Sequence, residues 1–351
     1  MSISKKVKII CEEDFAESIW CKSLLGGLIK ELKKRRITYE QVFDADAVEK
    51  QEPVFVIGLT NMWTEQIVER CNMAKCSPVV LSNQSGKSVQ GRYHLVCPDM
   101  KLSAKNLKEA LLNAGRSKIA LYAANRMIDL DRDRTEVLSE LVEDESDIYS
   151  NKDHLENCFR SFYPKAALYD VVLCVNGYAA ISLVKKLEKQ DKELLEHMVI
   201  IAFEEVLKHS KYNQWISFVD LKLESYGAAA MQVVDIAMQN CAVTEITVKM
   251  ECTVCEIEKK ETADSVREVS KAYFEDPEIV YMGKIEQLMC DFDDLDHHII
   301  AMMLEGATYS DIADSCYMTE GNIKYRVKKY MNICGSKTKR ELLELLKEYL
   351  Q

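Results

Sequence analysis

The 351-residue sequence lacks any apolar run long enough to cross a bilayer, and its first one, Val7 to Cys11, is too short for a secretory signal. It also lacks overall positive charge. With a formal net charge of -11, it does not suit a protein that coats nucleic acid along its whole surface. Its 13 cysteines lack the regular spacing of a disulfide framework. These absences predict a cytoplasmic chain outside the membrane, with any nucleic-acid binding confined to a local patch.

Motifs of enzymes and of metal sites are also scarce. No combination of nucleophile, base and orienting group stands out, so we expect neither an enzyme nor a cofactor. Cys252 and Cys255 form a single C-x-x-C without two further ligands, so no metal site is predicted. The 48% hydrophobic content still provides for a sizeable core and for two or three domains.

From residue 6 to about residue 256, short apolar runs alternate with amphipathic segments, which is typical of a parallel sheet covered by helices. The predicted strands are VKIIC, VFVIGL, PVVLS, KIALYAA, VVLCV, MVIIAF and ISFV. Between them, segments such as CKSLLGGLIKELKKRR and AAISLVKKLEKQ carry apolar residues at helical spacing. The sequence therefore predicts an α/β domain that spans residues 1–257.

Polar residues gather where the predicted strands end. Because ligands in open α/β sheets bind outside the carboxyl ends of the strands, these side chains predict a small-molecule cleft. They also fit a plainer interpretation, in which strands end in polar residues because loops lie on the surface. The residues concerned are Glu12, Glu13, Asp14, Thr60, Asn61, Asn125, Arg126, Asn176, Glu204 and Glu205.

The α/β pattern stops near residue 257. A connector is predicted over residues 258–290, and a small all-α domain over residues 291–351. Within the connector, Val266, Val269 and Tyr273 predict a short helix that Pro277 is expected to end.

Capping residues predict four helices in the all-α domain. The predicted N-caps are Asp293, Thr308, Thr319 and Thr338, and Gly306 is expected to stop the first helix.

The third of these helices has two different faces. Its packed face is predicted to carry Ile323, Val327, Tyr330 and Cys334, which follow one another at helical spacing. Its outer face offers cations to phosphates and donors to base edges, and the preceding short helix and turn favour a helix-turn-helix over a merely solvated basic surface. The predicted DNA-binding residues are Thr319, Asn322, Lys324, Tyr325, Arg326, Lys328 and Lys329.

The segment GATYSDIADSCYMTEGNIKYRVKKYMNICGSKTKRELL resembles the four-helix DNA-binding domain of the LuxR/GerE type. The matching residues are Gly306, Thr308, Ile312, Ala313, Met318, Thr319, Ile323, Lys324, Val327 and Gly335. The sequence departs from that pattern at His298, Asp311, Asn322, Arg326, Ile333 and Cys334. The resemblance implies that Lys324, Tyr325 and Lys328 face the DNA groove and that the fourth helix takes part in dimerisation.

The first 255 residues resemble the type I periplasmic-binding-protein fold, the two-lobed sensor of LacI/GalR-like repressors. The similar segments are SIWCKSLLGGLIKEL, DRDRTEVLSEL, DVVLCVNGYAAISLVKKL, VIIAFEEV and ISFVDLKLESYGAAAMQVV. Together with the strand ends, the resemblance implies an effector-binding set of Asp14, Trp20, Asn61, Arg134, Asn176 and Glu204. Gly177 and Leu221 replace an acid and a glutamine that serve sugar hydroxyls in that family, so a simple sugar is not expected.

These patterns predict a transcription regulator that responds to a small-molecule effector and binds double-stranded DNA as a homodimer. A rival interpretation is a sensor fold that has lost its ligand and only dimerises, as a constitutive DNA-binding or partner-binding scaffold. The polar strand ends favour the sensor, whereas Gly177 and Leu221 favour the scaffold.

Overall fold

The structure, a computed structural model, describes residues 6–45, 48, 53–85, 89–204, 206–207, 210–239, 243–254, 277–290 and 292–350. It contains two parallel β-sheets with helices packed against them, followed by a group of C-terminal helices. The predicted α/β class is therefore confirmed. Within the described ranges, no helix is both long and apolar enough to cross a bilayer.

The strands and helices are numbered in chain order. The strands are β1 (Lys6–Cys11), β2 (Thr38–Val42), β3 (Val54–Ile57), β4 (Val79–Leu81), β5 (His94–Pro98), β6 (Ile119–Ala124), β7 (Ile148–Ser150), β8 (Val171–Cys174), β9 (Val199–Phe203), β10 (Ile216–Val219) and β11 (Thr247–Met250). The helices of the sheet-containing part are α1 (Ile19–Lys34), α2 (Asn61–Met73), α3 (Met100–Asn113), α4 (Asp129–Ser139), α5 (Leu155–Phe162), α6 (Gly177–Gln190), α7 (Lys192–His197) and α8 (Tyr226–Gln239). The C-terminal helices are α9 (Pro277–Cys290), α10 (Asp294–Leu304), α11 (Tyr309–Ser315), α12 (Glu320–Cys334) and α13 (Lys339–Leu350).

Each sheet forms the centre of one lobe. The first lobe has the strand order β11-β5-β4-β3-β1-β2, and the second has the order β10-β9-β8-β6-β7. The chain enters the second lobe after α3 and returns to the first with α8, which packs against β4, β5 and α1. The carboxyl ends of the parallel strands in both lobes can therefore face one interlobe cleft.

All seven predicted strands are present, and the pattern missed β2, β5, β7 and β11. Three of the four lie at sheet edges: β2 and β11 are partly exposed and less apolar, whereas β7 is buried but only three residues long. The fourth, β5, lies inside its sheet but carries the buried polar residue His94 and ends in Pro98. Neither residue fits the apolar pattern expected of an inner strand.

The predicted caps of the C-terminal helices are confirmed. Asp293 and Thr308 each form a complete capping box, and the hydroxyl of Thr319 accepts a hydrogen bond from the backbone amide of Asn322 at 3.3 Å. Thr338 accepts one from the amide of Glu341 at 3.1 Å. These bonds satisfy backbone donors that would otherwise be unpaired at the helix starts.

The predicted connector is helical in its second half. Its predicted short helix on Val266, Val269 and Tyr273 lies outside the described residues. Pro277 begins helix α9, in keeping with the preference of proline for the first helical position. Helix α9 packs against α1 of the first lobe, α6 of the second lobe and α12 of the C-terminal helices. It thus contacts three parts of the molecule.

The C-terminal helices are docked on the second lobe. The Lys185 ammonium donates to the Tyr349 hydroxyl at 3.0 Å and pairs with Glu348 at 3.0 Å. Lys186 pairs with Glu278 of α9 at 2.7 Å, and the ring of Tyr212 makes an edge contact with that of Tyr349. The docking therefore combines half-buried ion pairs with aromatic packing at the end of α13.

Two glycines allow α1 and α8 to cross closely. A methyl group at Gly27 would lie 2.1 Å from the carbonyl oxygen of Glu224, and one at Gly227 would lie 2.3 Å from the backbone of Gly27. Gly26, the neighbour of Gly27 on α1, has no atom within 4 Å of the same position. The close crossing of α1 and α8 therefore depends on Gly27 and Gly227, whereas Gly26 takes no part in it.

We predict opposite effects for the two neighbouring glycines of α1. Gly27→Ala should lower the free energy of unfolding by about 1–3 kcal/mol or more, because backbone atoms must move apart to admit the methyl group. Gly26→Ala should raise it by about 0.5–1 kcal/mol through helix propensity. Denaturant unfolding of both variants measures the difference, and equal effects would contradict the crossing.

Candidate functional site

Helix α4, whose first residues read DLDRDR, holds the two lobes together. On the first-lobe side, Asp129 accepts a hydrogen bond from the backbone amide of Asn61 at 2.8 Å, and Asp133 accepts from the amide of Ser85 at 2.7 Å. On the second-lobe side, Arg134 donates to the carbonyl oxygen of Val175 at 3.2 Å. The alternating charges of α4 therefore contact the strand ends of both lobes.

A cavity of about 220 Å³ lies in the cleft beside α4. Its lining residues are Phe15, Ser18, Ile19, Trp20, Leu59, Ile128, Leu130, Asp131, Arg134, Asn176, Gly177, Tyr178, Phe203, Glu204, Val206 and Glu286. A second cavity of about 620 Å³ adjoins it, with Ile19, Trp20 and Glu204 in both linings. The inner cavity is thus mainly apolar and aromatic, with a few ionisable groups in its wall.

A buried ion pair joins α4 to the end of β9. The fully buried guanidinium of Arg134 donates to the carboxylate of Glu204. Burial alone lowers the pKa of Arg134, but the nearby carboxylate of Glu204 outweighs that effect, and the pKa is raised. Arg134 therefore stays charged inside the cleft wall.

The second polar group of the wall is Asp131 with Asn176. The side-chain amide of Asn176 donates to the carboxylate of Asp131 at 3.2 Å, and its oxygen caps α6 by accepting from the amide of Ala179 at 3.0 Å. Burial raises the pKa of Asp131 to about 6, although Arg134 and Asn176 oppose the shift. The amide of Asn176 is therefore engaged in holding the fold.

Some polar atoms of the cleft wall make no hydrogen bond to the residues that the structure describes. The Nε of Arg134 and the Oε1 of Glu204 are buried without a partner in the described structure. Buried polar groups of this kind cost free energy unless a ligand or water satisfies them. The same ion pair therefore has one buried donor and one buried acceptor that are left unsatisfied among the described residues.

Of the six predicted effector-binding residues, the structure brings four to the inner cavity: Trp20, Arg134, Asn176 and Glu204. Asp14 lies exposed on the 3-10 turn Glu13–Phe15 and does not line the cavity. Asn61 starts α2 outside the lining, although its buried side-chain oxygen has no hydrogen-bond partner in the described part of the chain.

The polar strand-end residue Glu12 has a structural role. Its carboxylate accepts from the backbone amides of Leu59 and Thr60 at 2.6 and 3.0 Å, and from the hydroxyl of Thr60 at 2.6 Å. It thereby ties the end of β1 to the loop after β3. At this strand end the polar residue holds a loop, as in the plainer interpretation given above.

The structure explains the glycine at the start of α6. A Cβ at Gly177 would lie 2.6 Å from a methyl group of Val206 and 2.8 Å from the carbonyl oxygen of Glu204. An acidic side chain cannot occupy that position while the loop after β9 lies so close. Leu221 lines the adjoining outer cavity.

The sequence patterns missed one ionisable residue of the cavity, Glu286 of α9. It is buried and accepts hydrogen bonds from the hydroxyl of Tyr178 and, at 3.2 Å, from the backbone amide of Leu207. Burial raises its pKa to about 7, although both donors oppose the shift, and nearby Glu204 adds to it. The predicted connector thus supplies a carboxyl group to the cleft.

A second candidate surface is the outer face of α12. Lys324 pairs with Glu320 and lies 5.6 Å from the ring centre of Tyr309, and Lys339 lies 4.5 Å from the same ring. Tyr325 is 76% exposed. Predicted DNA-binding residues that are also exposed are Thr319, Asn322, Lys324, Lys328 and Lys329.

The surface of α12 differs from the prediction at two residues, Arg326 and Tyr317. Arg326 is half-buried and engaged by Asp293 at 3.1 Å and by Asp296, so its guanidinium braces α12 against the start of α10. Tyr317, in the turn before α12, is 98% exposed with φ 52° and was not predicted. The buried face of α12 consists of Ile323, Val327, Tyr330 and Cys334, as predicted.

In the ranges that the structure describes, no three His, Cys, Asp or Glu side chains are grouped so that they could hold a metal ion. Cys255 of the C-x-x-C pair lies outside those ranges.

No protein-family model and no curated protein sequence matches the chain. Among solved structures, the chain is similar to a complex of the transcriptional regulator CelR with cellobiose, with a TM-score of 0.57 and 12% identity over 72% of this chain and 84% of that chain. It is similar to the lac repressor dimer bound to operator and the anti-inducer ONPF, with a TM-score of 0.57 and 8% identity over 73% and 95% of the two chains.

A third similar structure is an ABC transporter solute-binding protein from Agrobacterium vitis with bound allitol, with a TM-score of 0.52 and 10% identity over 72% and 96% of the chains. At such identities the likeness defines the fold alone. The sheet-containing part has the two-lobed fold of periplasmic binding proteins, shared with the effector-binding domains of LacI-family regulators, and the C-terminal helices are not assigned by it.

We predict that Glu286 makes stability fall as the pH rises. Its folded pKa of about 7 lies above its ordinary value of 4.5, so the folded state holds a proton that the unfolded state has released between these values. The protonated carboxyl group contributes up to about 3 kcal/mol to the free energy of unfolding. This contribution is fully present below about pH 4.5 and is lost by about pH 7.

The isosteric variant Glu286→Gln removes the titrating group. The difference in unfolding free energy between this variant and the unchanged protein should grow from pH 5 to pH 8 in favour of the variant. Glu305→Gln, at an exposed position of the C-terminal helices, should show no such trend. A constant difference across the range would contradict the raised pKa.

Proposed function

We propose that the chain is a DNA-binding regulator whose interlobe cleft binds a small-molecule effector. The observation that carries the proposal is the Arg134–Glu204 ion pair, whose Nε and Oε1 atoms lack partners among the described residues. The pair lies in the wall of an apolar cavity within a two-lobed fold. Small-molecule sites are commonly apolar clefts with a few well-placed polar groups. A scaffold that had lost its ligand would have little reason to keep such polar atoms unsatisfied, so the cleft favours the sensor.

The DNA-binding half of the proposal rests on α12 and on the LuxR/GerE-like sequence pattern. The basic outer face of the helix remains exposed while the C-terminal helices are docked on the second lobe. The exposed tyrosines, Tyr317 and Tyr325, flank this face and can contact sugar or phosphate groups through their hydroxyls. An α-helix fits the major groove, so α12 is the proposed reading element.

Homodimerisation belongs to the same proposal. Two copies of α12 that read half-sites on one face of DNA would lie about one helical turn, roughly 34 Å, apart. The lac repressor to which the fold is similar is a dimer bound to its operator. Helix α13 is the proposed dimerisation element, by resemblance to the fourth helix of the LuxR/GerE type.

We predict that Lys328→Ala in the full chain weakens binding to duplex DNA by about 1–3 kcal/mol. If the lost contact is to phosphate, it should also reduce the slope of log affinity against log salt by about one. The measurement is fluorescence anisotropy on a duplex selected from genomic fragments at fixed salt. Lys108→Ala, an exposed lysine of α3, is the control. Unchanged affinity in Lys324→Ala and Lys328→Ala alike would exclude α12 as the reading helix.

We predict that a metabolite screen by thermal shift finds a ligand that depends on the Arg134–Glu204 pair. A ligand at a hundredfold excess over its Kd stabilises the folded state by about 2.7 kcal/mol. The test variant is the double substitution Arg134→Met with Glu204→Gln, because removing Arg134 alone leaves a buried charge and costs about 3–5 kcal/mol. A ligand whose shift survives in the folded double variant does not bind at the proposed site.

A further inference from the structure

Helix α9 contributes directly to the effector cleft. It lies against α1 of the first lobe and α6 of the second, and its Glu286 lines the cavity together with the first-lobe residues Phe15 and Trp20. The same helix packs against α12. A molecule in the cavity therefore lies within reach of an element that belongs to the C-terminal helices.

Acidic groups outnumber basic groups in the cavity wall. They comprise three carboxyl groups, on Asp131, Glu204 and Glu286, and one guanidinium, on Arg134. Arg134 is engaged by Glu204, and Asp131 is held by the neutral amide of Asn176. An apolar cavity with surplus carboxyl groups favours a ligand that brings positive charge.

Among the residues that the structure describes, Glu286, like Asp131, is a cavity carboxyl group without an ion-pair partner. Its hydrogen-bond donors, the hydroxyl of Tyr178 and the backbone amide of Leu207, are neutral. Within the described ranges, no lysine, arginine or histidine forms an ion pair with it. A cationic group in the cavity would supply the missing counter-charge.

The rest of the lining suits a small cation with an apolar body. The rings of Phe15 and Trp20 lie 6.5 Å apart, and Phe203 and Tyr178 also face the cavity. Aromatic faces attract cations and pack against apolar groups. The volume of about 220 Å³ suits a small ligand.

We propose that the effector is a small organic amine whose ammonium group pairs with Glu286 while its apolar body lies against Phe15 and Trp20. This inference rests on the sensor function proposed above and adds the chemical class of the effector. It makes α9 part of the binding site, so the effector acts on the C-terminal helices by direct contact. The carboxyl of Glu286 loses its proton to solvent when the ammonium group binds.

The test uses the full chain and three probes of nearly the same skeleton: 2-phenylethylamine, 2-phenylethanol and 3-phenylpropanoate. Calorimetry at pH 6.5 should show binding of the amine and none, or at least tenfold weaker binding, of the alcohol and the acid. Glu286→Gln should weaken amine binding by about tenfold to a hundredfold, the range of a charge-assisted hydrogen bond. Glu305→Gln should leave the affinity unchanged.

Proton release distinguishes an ion pair from a merely structural role of Glu286. Titrations in two buffers of different ionisation enthalpy should show release of up to one proton with the amine, and release should be largely lost in Glu286→Gln. This variant should remain folded, because a neutral amide of the same shape avoids the cost of burying a charge.

Three results would overturn the inference. The first is equal amine affinity in Glu286→Gln, the second is preferential binding of the alcohol or the acid, and the third is no binding of the amine at millimolar concentration. A different metabolite that binds the unchanged protein but not the Arg134→Met, Glu204→Gln variant would then leave the sensor function standing. No ligand of any class in the screen would instead remove the sensor function itself.

Discussion

The bracing of both lobes by one short charged helix is the constraint on which the site depends. Helix α4 offers Asp129 and Asp133 to backbone amides of the first lobe, and Arg134 to a carbonyl and a carboxylate of the second. Because three of these four partners are backbone groups that follow strands, hydrogen-bond lengths limit the separation of the lobes. Lobe closure around a ligand has to turn about α4 or break these bonds.

The buried pair of Arg134 and Glu204 has a double effect. Removing a guanidinium and a carboxylate from water is costly, and their mutual attraction offsets that cost only when further hydrogen bonds complete it. Arg134 donates one such bond to the carbonyl oxygen of Val175, but its Nε and the second oxygen of Glu204 have no partner among the described residues. The two unsatisfied atoms cost free energy, and a molecule that supplied partners to them would gain that difference as affinity.

The sequence revealed the fold class, all the inner strands except β5, and the helix caps, because each depends on local chemistry. The apolar run of β8 and the capping threonines, Thr308 and Thr319, are local signals of this kind. Contacts between residues that are far apart in the sequence could not be predicted from these local signals. Arg326 was placed on the DNA-facing flank, yet Asp293 and Asp296, some thirty residues earlier, engage it.

Glu286 is the clearest omission. The buried residues Ile279, Met282, Ile285 and Leu288 recur every three positions around it, a helical signal that the connector interpretation passed over. Even with that helix predicted, no periodicity could place its one buried acid in a cleft formed 80 to 270 residues earlier. The position follows only from how α9 lies between α1 and α6.

The docking of α13 on the second lobe also limits how two copies can associate. Tyr349 is buried there against Tyr212 and Lys185, and its backbone oxygen accepts from the amide of Lys211 at 3.0 Å. A partner copy that covered this end of α13 would have to displace those contacts. Docking and pairing through α13 are then competing equilibria, and their balance shifts with protein concentration, so dilution would favour the docked monomer.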